Sequence, residues 1–127
     1  MLVYAQNALQ GYSRVQVDAG VESASSHRLV LMLFDGLLER IAQARGAIQH
    51  REFELKGQKI NDAIMIVFGL RDSLDLSQGG DLAQNLEGLY DYVQRMLMQA
   101  NLKNDEALLG ECADLICNVS SAWREIG

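Results

Sequence analysis

Apolar residues recur at alternating steps of three and four along four stretches of the chain, and polar or glycine-containing joins separate them. That period lays apolar side chains along one face of an α-helix, so each stretch predicts a helix. The first starts at a capping Ser25 and runs to about Gln49, with Leu29, Leu33, Leu37, Ile41, Ala44 and Ile48 on one seam and Val30, Phe34 and Leu38 on a second. Its opening run, Leu29 to Phe34, is apolar around almost the full circumference. A polar join from His50 to Glu52 leads to a second helix, about Phe53 to Leu76, whose centre from Ala63 to Leu70 is again apolar all round. Gly69 lies in that centre; it costs up to about 1 kcal/mol relative to alanine and permits a neighbouring helix to come close.

Ser77-Gln78-Gly79-Gly80 reads as a turn, and Asp81 is the expected N-cap of the third helix. Leu82, Leu86, Leu89, Val93, Met96 and Ala100 form its seam as far as Asn101, and Leu86, Tyr90, Val93 and Leu97 form a second stripe, with Tyr92 further round. After a tight connection at Leu102-Lys103, Asn104 is the expected N-cap of the fourth helix, and Asp105 and Glu106 stand where the helix dipole favours negative charge. The expected seam of that helix is Leu108, Cys112, Leu115, Val119 and Ala122; Leu109, Ile116 and Trp123 repeat every seven residues beside it, with Trp123 placed to close one end. Four helices of similar length with short joins pack best antiparallel. The fold class is therefore all-α, an up-and-down four-helix bundle over residues 25–127 with an N-terminal arm over residues 1–24. The arm carries sparse apolar positions at Leu9, Tyr12, Val15 and Val17. It reads either as a frayed terminus or as a cover for an apolar groove, anchored by Leu9 and Tyr12.

Composition narrows the class. A chain of 127 residues makes one domain, burying roughly two-thirds of its unfolded surface without needing a disulfide or metal. Its net charge of -6, with scattered basic residues, argues against nucleic acid or an anionic membrane surface as partner. The N-terminus lacks a basic flank followed by a long apolar run, and no apolar stretch reaches membrane length, so neither a signal peptide nor membrane insertion is expected. Cys112 and Cys117 stand about 140° apart around a helix, which fits neither a bridge nor a metal pair. Buried or half-buried free thiols suit a reducing cytoplasm.

Catalytic chemistry finds no support. A di-iron bundle needs inward Glu residues and Glu-x-x-His pairs, and neither His27 nor His50 has a carboxylate or cysteine at ligand spacing. There is no phosphate-binding loop, nucleophile elbow or metalloprotease pair, and Asp81 would repel an anion from the Gly79-Gly80 turn. Asp35 and Asp91 read as solvated or hydrogen-bonded structural residues. No cofactor is expected. What stands out is apolar surface, since the first two helices carry more than a four-helix core consumes. A second copy of the chain, its own first 24 residues, or an amphipathic segment of another protein could cover it.

Two groups of residues add a resemblance. Asn85-Leu86, Leu89-Tyr90-Asp91-Tyr92 and Ala100-Asn101, spaced as they are after Gly79-Gly80, resemble the signature of the flagellin-specific export chaperones, the FliS family. Ser23-Ala24-Ser25-Ser26-His27-Arg28-Leu29 followed by Met32-Leu33-Phe34-Asp35-Gly36 resembles that family's first-helix motif, and Tyr12 and Trp123 fall where the family keeps its own. One departure is Ser26, where the family commonly has proline; serine is tolerated at a first helical position, so only the exact helix start is affected. The resemblance implies a non-enzymatic cytoplasmic chaperone. Its cargo would be the disordered C-terminal segment of flagellin, kept from premature polymerisation and brought to a component of the flagellar type III export gate. Without cargo, a homodimer burying the same surface against itself is the alternative, and a small-ligand or metal-binding bundle enzyme is a remoter one. The residues expected to bind cargo are Leu9 and Tyr12 on the arm, displaced or repositioned by it, and Phe34, Ile64, Phe68, Tyr90, Tyr92 and Leu97 around the groove. Truncating Tyr90 or Tyr92 is expected to weaken binding without unfolding the protein.

Overall fold

The computed structural model describes residues 25–74 and 79–126; the arm with Leu9 and Tyr12, the expected end of the second helix at Leu76, and Ser77-Gln78 of the turn lie outside the described residues. Four helices make up the described chain: α1 (Ser26–Gln49), α2 (Phe53–Asp72), α3 (Gly80–Lys103) and α4 (Glu106–Ile126). α1 packs on α2 and α4, and α3 packs on the same two, so the helices form a closed ring around one core.

Side-chain pairs fix the directions. Trp123, at the end of α4, donates from Nε1 to the His27 carbonyl at the start of α1 (3.1 Å), while Glu106, at the start of α4, accepts from Gln49 at the end of α1 (2.7 Å). Lys56, early in α2, reaches Asn101, late in α3, and Arg71, late in α2, reaches Glu87, early in α3. Neighbours therefore run antiparallel, and the expected up-and-down bundle is observed.

Local chemistry sets the helix ends. The Ser25 hydroxyl accepts from the Arg28 N–H at 3.2 Å and caps α1 as expected. α1 ends in a Schellman turn: the Arg51 N–H donates to the Ile48 carbonyl, the Glu52 N–H to the Ala47 carbonyl, and Arg51 takes φ 59°, a conformation more often given to glycine. Two expected caps differ. α3 starts one residue before Asp81, because Gly80 adopts φ 57° and lets the helix begin directly from the glycine pair. Asn104 is the left-handed end of α3, with φ 52°, and the Asp105 carboxylate is what caps α4, accepting from the Leu108 N–H at 3.2 Å. Asn is among the few residues that enter this conformation cheaply, so it serves a helix end here rather than a start.

The interior is contributed unequally. Leu33, Phe34, Leu37 and Ile41 of α1, Ile60, Ala63, Val67 and Leu70 of α2, Tyr90, Val93, Leu97 and Ala100 of α3, and Leu109, Cys112 and Ile116 of α4 are buried together. Phe34 and Tyr90 meet across the centre, with ring centroids 6.4 Å apart. α4 is rotated from its expected seam: Leu109, Cys112, Ile116 and Ser120 point inward, while Leu108, Leu115 and Val119 are half-buried and Ala122 is exposed. It packs on α1 and α3 at once, so the residues between those two contacts, Leu109, Cys112, Ile116 and Ser120, are the ones buried. Trp123 does close one end, stacking on the His27 ring at 5.2 Å.

Candidate functional site

An apolar groove of about 820 Å³ lies between α2 and α3. Its α2 wall is Asn61, Ile64 and Phe68, which follow one another at helical spacing over roughly 10 Å. Gln94, Arg95, Met98, Gln99, Asn101 and Leu102 form the α3 wall. Phe68 is 45 % exposed, Met98 60 % and Leu102 80 %, so these large apolar side chains lie outside the core. A smaller depression of about 190 Å³ lies on the other flank of α3, lined by Tyr92, Arg95, Met96, Gln99 and Leu108. Arg95 and Gln99 belong to both and form the ridge between them.

Polar side chains brace the two walls. Lys56 is buried, and its ammonium donates to the Asn101 main-chain carbonyl (2.9 Å) and to Asn101 Oδ1 (2.7 Å), tying the first turn of α2 to the last turn of α3. The pairing also sets a cation at the helix C-terminus, where the dipole favours one. At the other end Arg71 donates to Gln94 Oε1 at 2.5 Å and to Asp91 at 3.4 Å, and also bonds Glu87. The bond to Glu87 raises the Arg71 guanidinium above its ordinary value, more than burial lowers it, with the neighbouring Asp91 adding to the rise. Asp91 also pairs with Arg95 at 2.9 Å, so the arginine on the ridge has a fixed counter-charge. Gln94 Nε2 in turn lies 3.5 Å from the Ile64 carbonyl of α2.

The residues expected to line the groove separate into two sets. Ile64 and Phe68 do line it, and Tyr92, 47 % exposed, lines the adjacent depression. Phe34, Tyr90 and Leu97 are placed in the core at 0 %, 1 % and 0 % exposure, and none can touch a docked segment while the bundle is closed. For Tyr90, burial also raises the phenol well above its ordinary value, because no water is there to solvate a phenolate. Leu9 and Tyr12 lie outside the described residues. The surplus apolar surface is on α2 and α3 rather than on α1 and α2, since ten residues of α1 are buried. Met98 and Leu102 were not anticipated in the groove. They stand four apart and off the main seam of α3, and that spacing is the signal that marks a second apolar edge.

The signature residues hold the frame. Tyr90 and Ala100 are core, Asp91 engages Arg71 and Arg95, and Asn101 takes the Lys56 ammonium. Asp35, on the opposite side, is half-exposed and lies 3.7 Å from Arg124. Both cysteines are free; Cys112 is buried, its thiol pushed up to about 12 mainly by burial and partly by Glu111, and Cys117 is exposed rather than half-buried. Among the described residues no group of three or more His, Cys, Asp and Glu side chains is placed to hold a metal ion. No helix among them is long and apolar enough to cross a membrane.

A helical bundle that opens an apolar groove between two of its helices has the architecture of a protein that holds a segment of another chain. Comparison with known proteins is specific. The model of the family described as flagellar protein FliS matches residues 8–127. The chain is 45 % identical over 124 residues to the flagellar secretion chaperone FliSB of Pseudomonas aeruginosa, covering 98 % of each chain. It is 39 % identical over 125 residues to the flagellar secretion chaperone FliS of Salmonella typhimurium (98 % of this chain, 93 % of the relative) and 38 % identical over 121 residues to that of Vibrio cholerae (95 % and 89 %). The chain belongs to the FliS family of flagellar secretion chaperones, which are not enzymes. It has a chaperone role in flagellar export, and its partner is a protein of that export.

Proposed function

We propose that this chain is a cytoplasmic chaperone for flagellin, holding its disordered C-terminal segment, preventing premature polymerisation and delivering it to a component of the flagellar type III export gate. The observation that carries this reading is the groove between α2 and α3, lined by half-buried Ile64 and by Phe68, Met98 and Leu102, which are large apolar side chains exposed outside the core. A segment with apolar residues at helical spacing folds onto such a surface, burying about 1,000–3,000 Å² and giving up several kcal/mol to ordering. That offset keeps affinity moderate for a long interface, which suits a cargo that must later be released. Tyr92 extends the contact across the ridge, and Leu9 and Tyr12 of the arm are displaced or repositioned as cargo enters. Residues 25–127 form the bundle that carries the groove, and residues 1–24 act as its arm.

Isothermal titration with a peptide spanning the C-terminal segment of the same organism's flagellin tests the reading, with circular dichroism on the same samples. Binding with a large negative heat-capacity change and a gain in helix is expected. No detectable heat at tens of micromolar, together with a sedimentation mass of twice the chain, would instead assign the groove to a homodimer.

A further inference from the structure

The wall of the groove has a fixed hydrogen-bonding polarity at one position, Asn101. The Lys56 ammonium has three donors and no acceptor, so the Asn101 atom 2.7 Å from it is the amide oxygen. A Cβ placed on Gly57 would lie 3.9 Å from the same oxygen, so Oδ1 faces α2. The Nδ2 amino group, on the same carbon as Oδ1, donates to none of the described residues, and Asn101 lines the groove and is only part-buried. Buried Lys56 also holds the Asn101 main-chain carbonyl at 2.9 Å, so the residue is gripped at two points and cannot turn its amide over without losing a bond to a charge. Gln94 further along is used at both ends of its amide, Oε1 accepting from Arg71 and Nε2 donating to the Ile64 carbonyl, so of these two amides Asn101 is the one left with a donor to offer. The one cation among the described lining residues, Arg95, is paired with Asp91.

We infer that Asn101 is a specificity-determining residue of the groove, an amide locked by Lys56 as a hydrogen-bond donor that requires an uncharged acceptor on the docked segment beside its apolar stripe. The inference rests on the proposed flagellin-binding role of the groove. The matching cargo residues are amide or hydroxyl side chains, or a main-chain carbonyl at the end of a docked helix, where four carbonyls lack intrahelical partners. A site that fixes a donor rejects a segment without the acceptor, because the donor is then buried unpaired.

Asn101→Asp tests this with almost no change of shape. The carboxylate still accepts from Lys56, while the amide donor becomes an acceptor. Titration with the flagellin C-terminal peptide is expected to show affinity at least tenfold weaker than wild type, with Tm unchanged or raised. Gln99→Glu adds the same charge to the groove without touching a fixed donor, and an effect below about threefold is expected. If Asn101→Asp lowers Tm, Asn101→Ser, which keeps an oxygen toward Lys56 and drops the amide donor, carries the same tenfold expectation. Wild-type affinity in both Asn101 variants, or an equal loss in Gln99→Glu, would overturn the assignment. A wild-type chain that fails to bind the peptide would overturn the flagellin reading instead.

Discussion

Tyr90 and Tyr92 stand two residues apart on α3 and face opposite fates. Tyr90 packs against Phe34 in the centre of the bundle, while Tyr92 is nearly half exposed beside the ridge of Arg95 and Gln99. The same division runs the length of the helix. Val93, Leu97 and Ala100 fill the interior; Met98 and Leu102 face outward, beside Ile64 and Phe68 of α2. Both stripes are apolar, and what separates them among the described residues is that only the inner one is covered by the helices of the bundle. The inner stripe holds the bundle together, and the outer one is the surface proposed above to take the cargo.

Cutting the inner stripe has the largest expected effect. Phe34→Ala or Tyr90→Ala removes an aromatic ring from a filled interior and is expected to cost about 3–5 kcal/mol, read as a large fall in Tm or denaturant midpoint. Tm unchanged within a few degrees would move these residues out of the core.

Met98→Asp on the outer stripe is expected to do the reverse. It places a charge in the groove at a position already open to water, so peptide affinity falls by tenfold or more, about 1.4 kcal/mol or above, with Tm almost unchanged. Equal losses of Tm and affinity would erase the division between the stripes.

Alkaline titration separates the stripes by a different property. Burial raises both Tyr90 and Cys112, so the folded chain holds them neutral where the unfolded chain ionises. The stability that this represents is intact below about pH 9 and is lost as pH climbs through the interval between unfolded and folded values. Each group removes up to about 1.4 kcal/mol per pH unit within its interval. Tm is expected to fall with rising pH above 9, and Tyr90→Phe to flatten the slope; an unchanged slope would contradict the burial of the phenol. The smallest effect is expected from Arg51→Gly at the turn after α1, where relief of the left-handed backbone raises stability by about 1 kcal/mol without altering peptide affinity.

The frame was legible in the sequence because each helix repeats its apolar period for five turns or more, and Ser25, the glycine pair and Asn104 mark where helices change. The cap expected at Asp81 falls two residues earlier, at Gly79, and the one expected at Asn104 one residue later, at Asp105, since backbone handedness at Gly80 and Asn104 depends on angles that residue type only biases. The groove was legible only in part. Ile64 and Phe68 lie on a helix apolar all round, and periodicity alone cannot tell which side a neighbour will cover. Phe34, Tyr90 and Leu97 look the same as groove residues in the sequence; their burial follows from how α1 and α3 meet across the centre. The brace between Lys56 and Asn101 joins residues 45 apart, a pairing that no local pattern encodes.

Oxidative footprinting of Met98 with and without the flagellin C-terminal peptide tests the central claim most directly, because this side chain is exposed in the free chain and lies in the groove. Saturating peptide is predicted to slow its oxidation at least tenfold. Met98 oxidised at the same rate in the presence of bound peptide would show that the cargo docks elsewhere and that the groove between α2 and α3 is not the binding site.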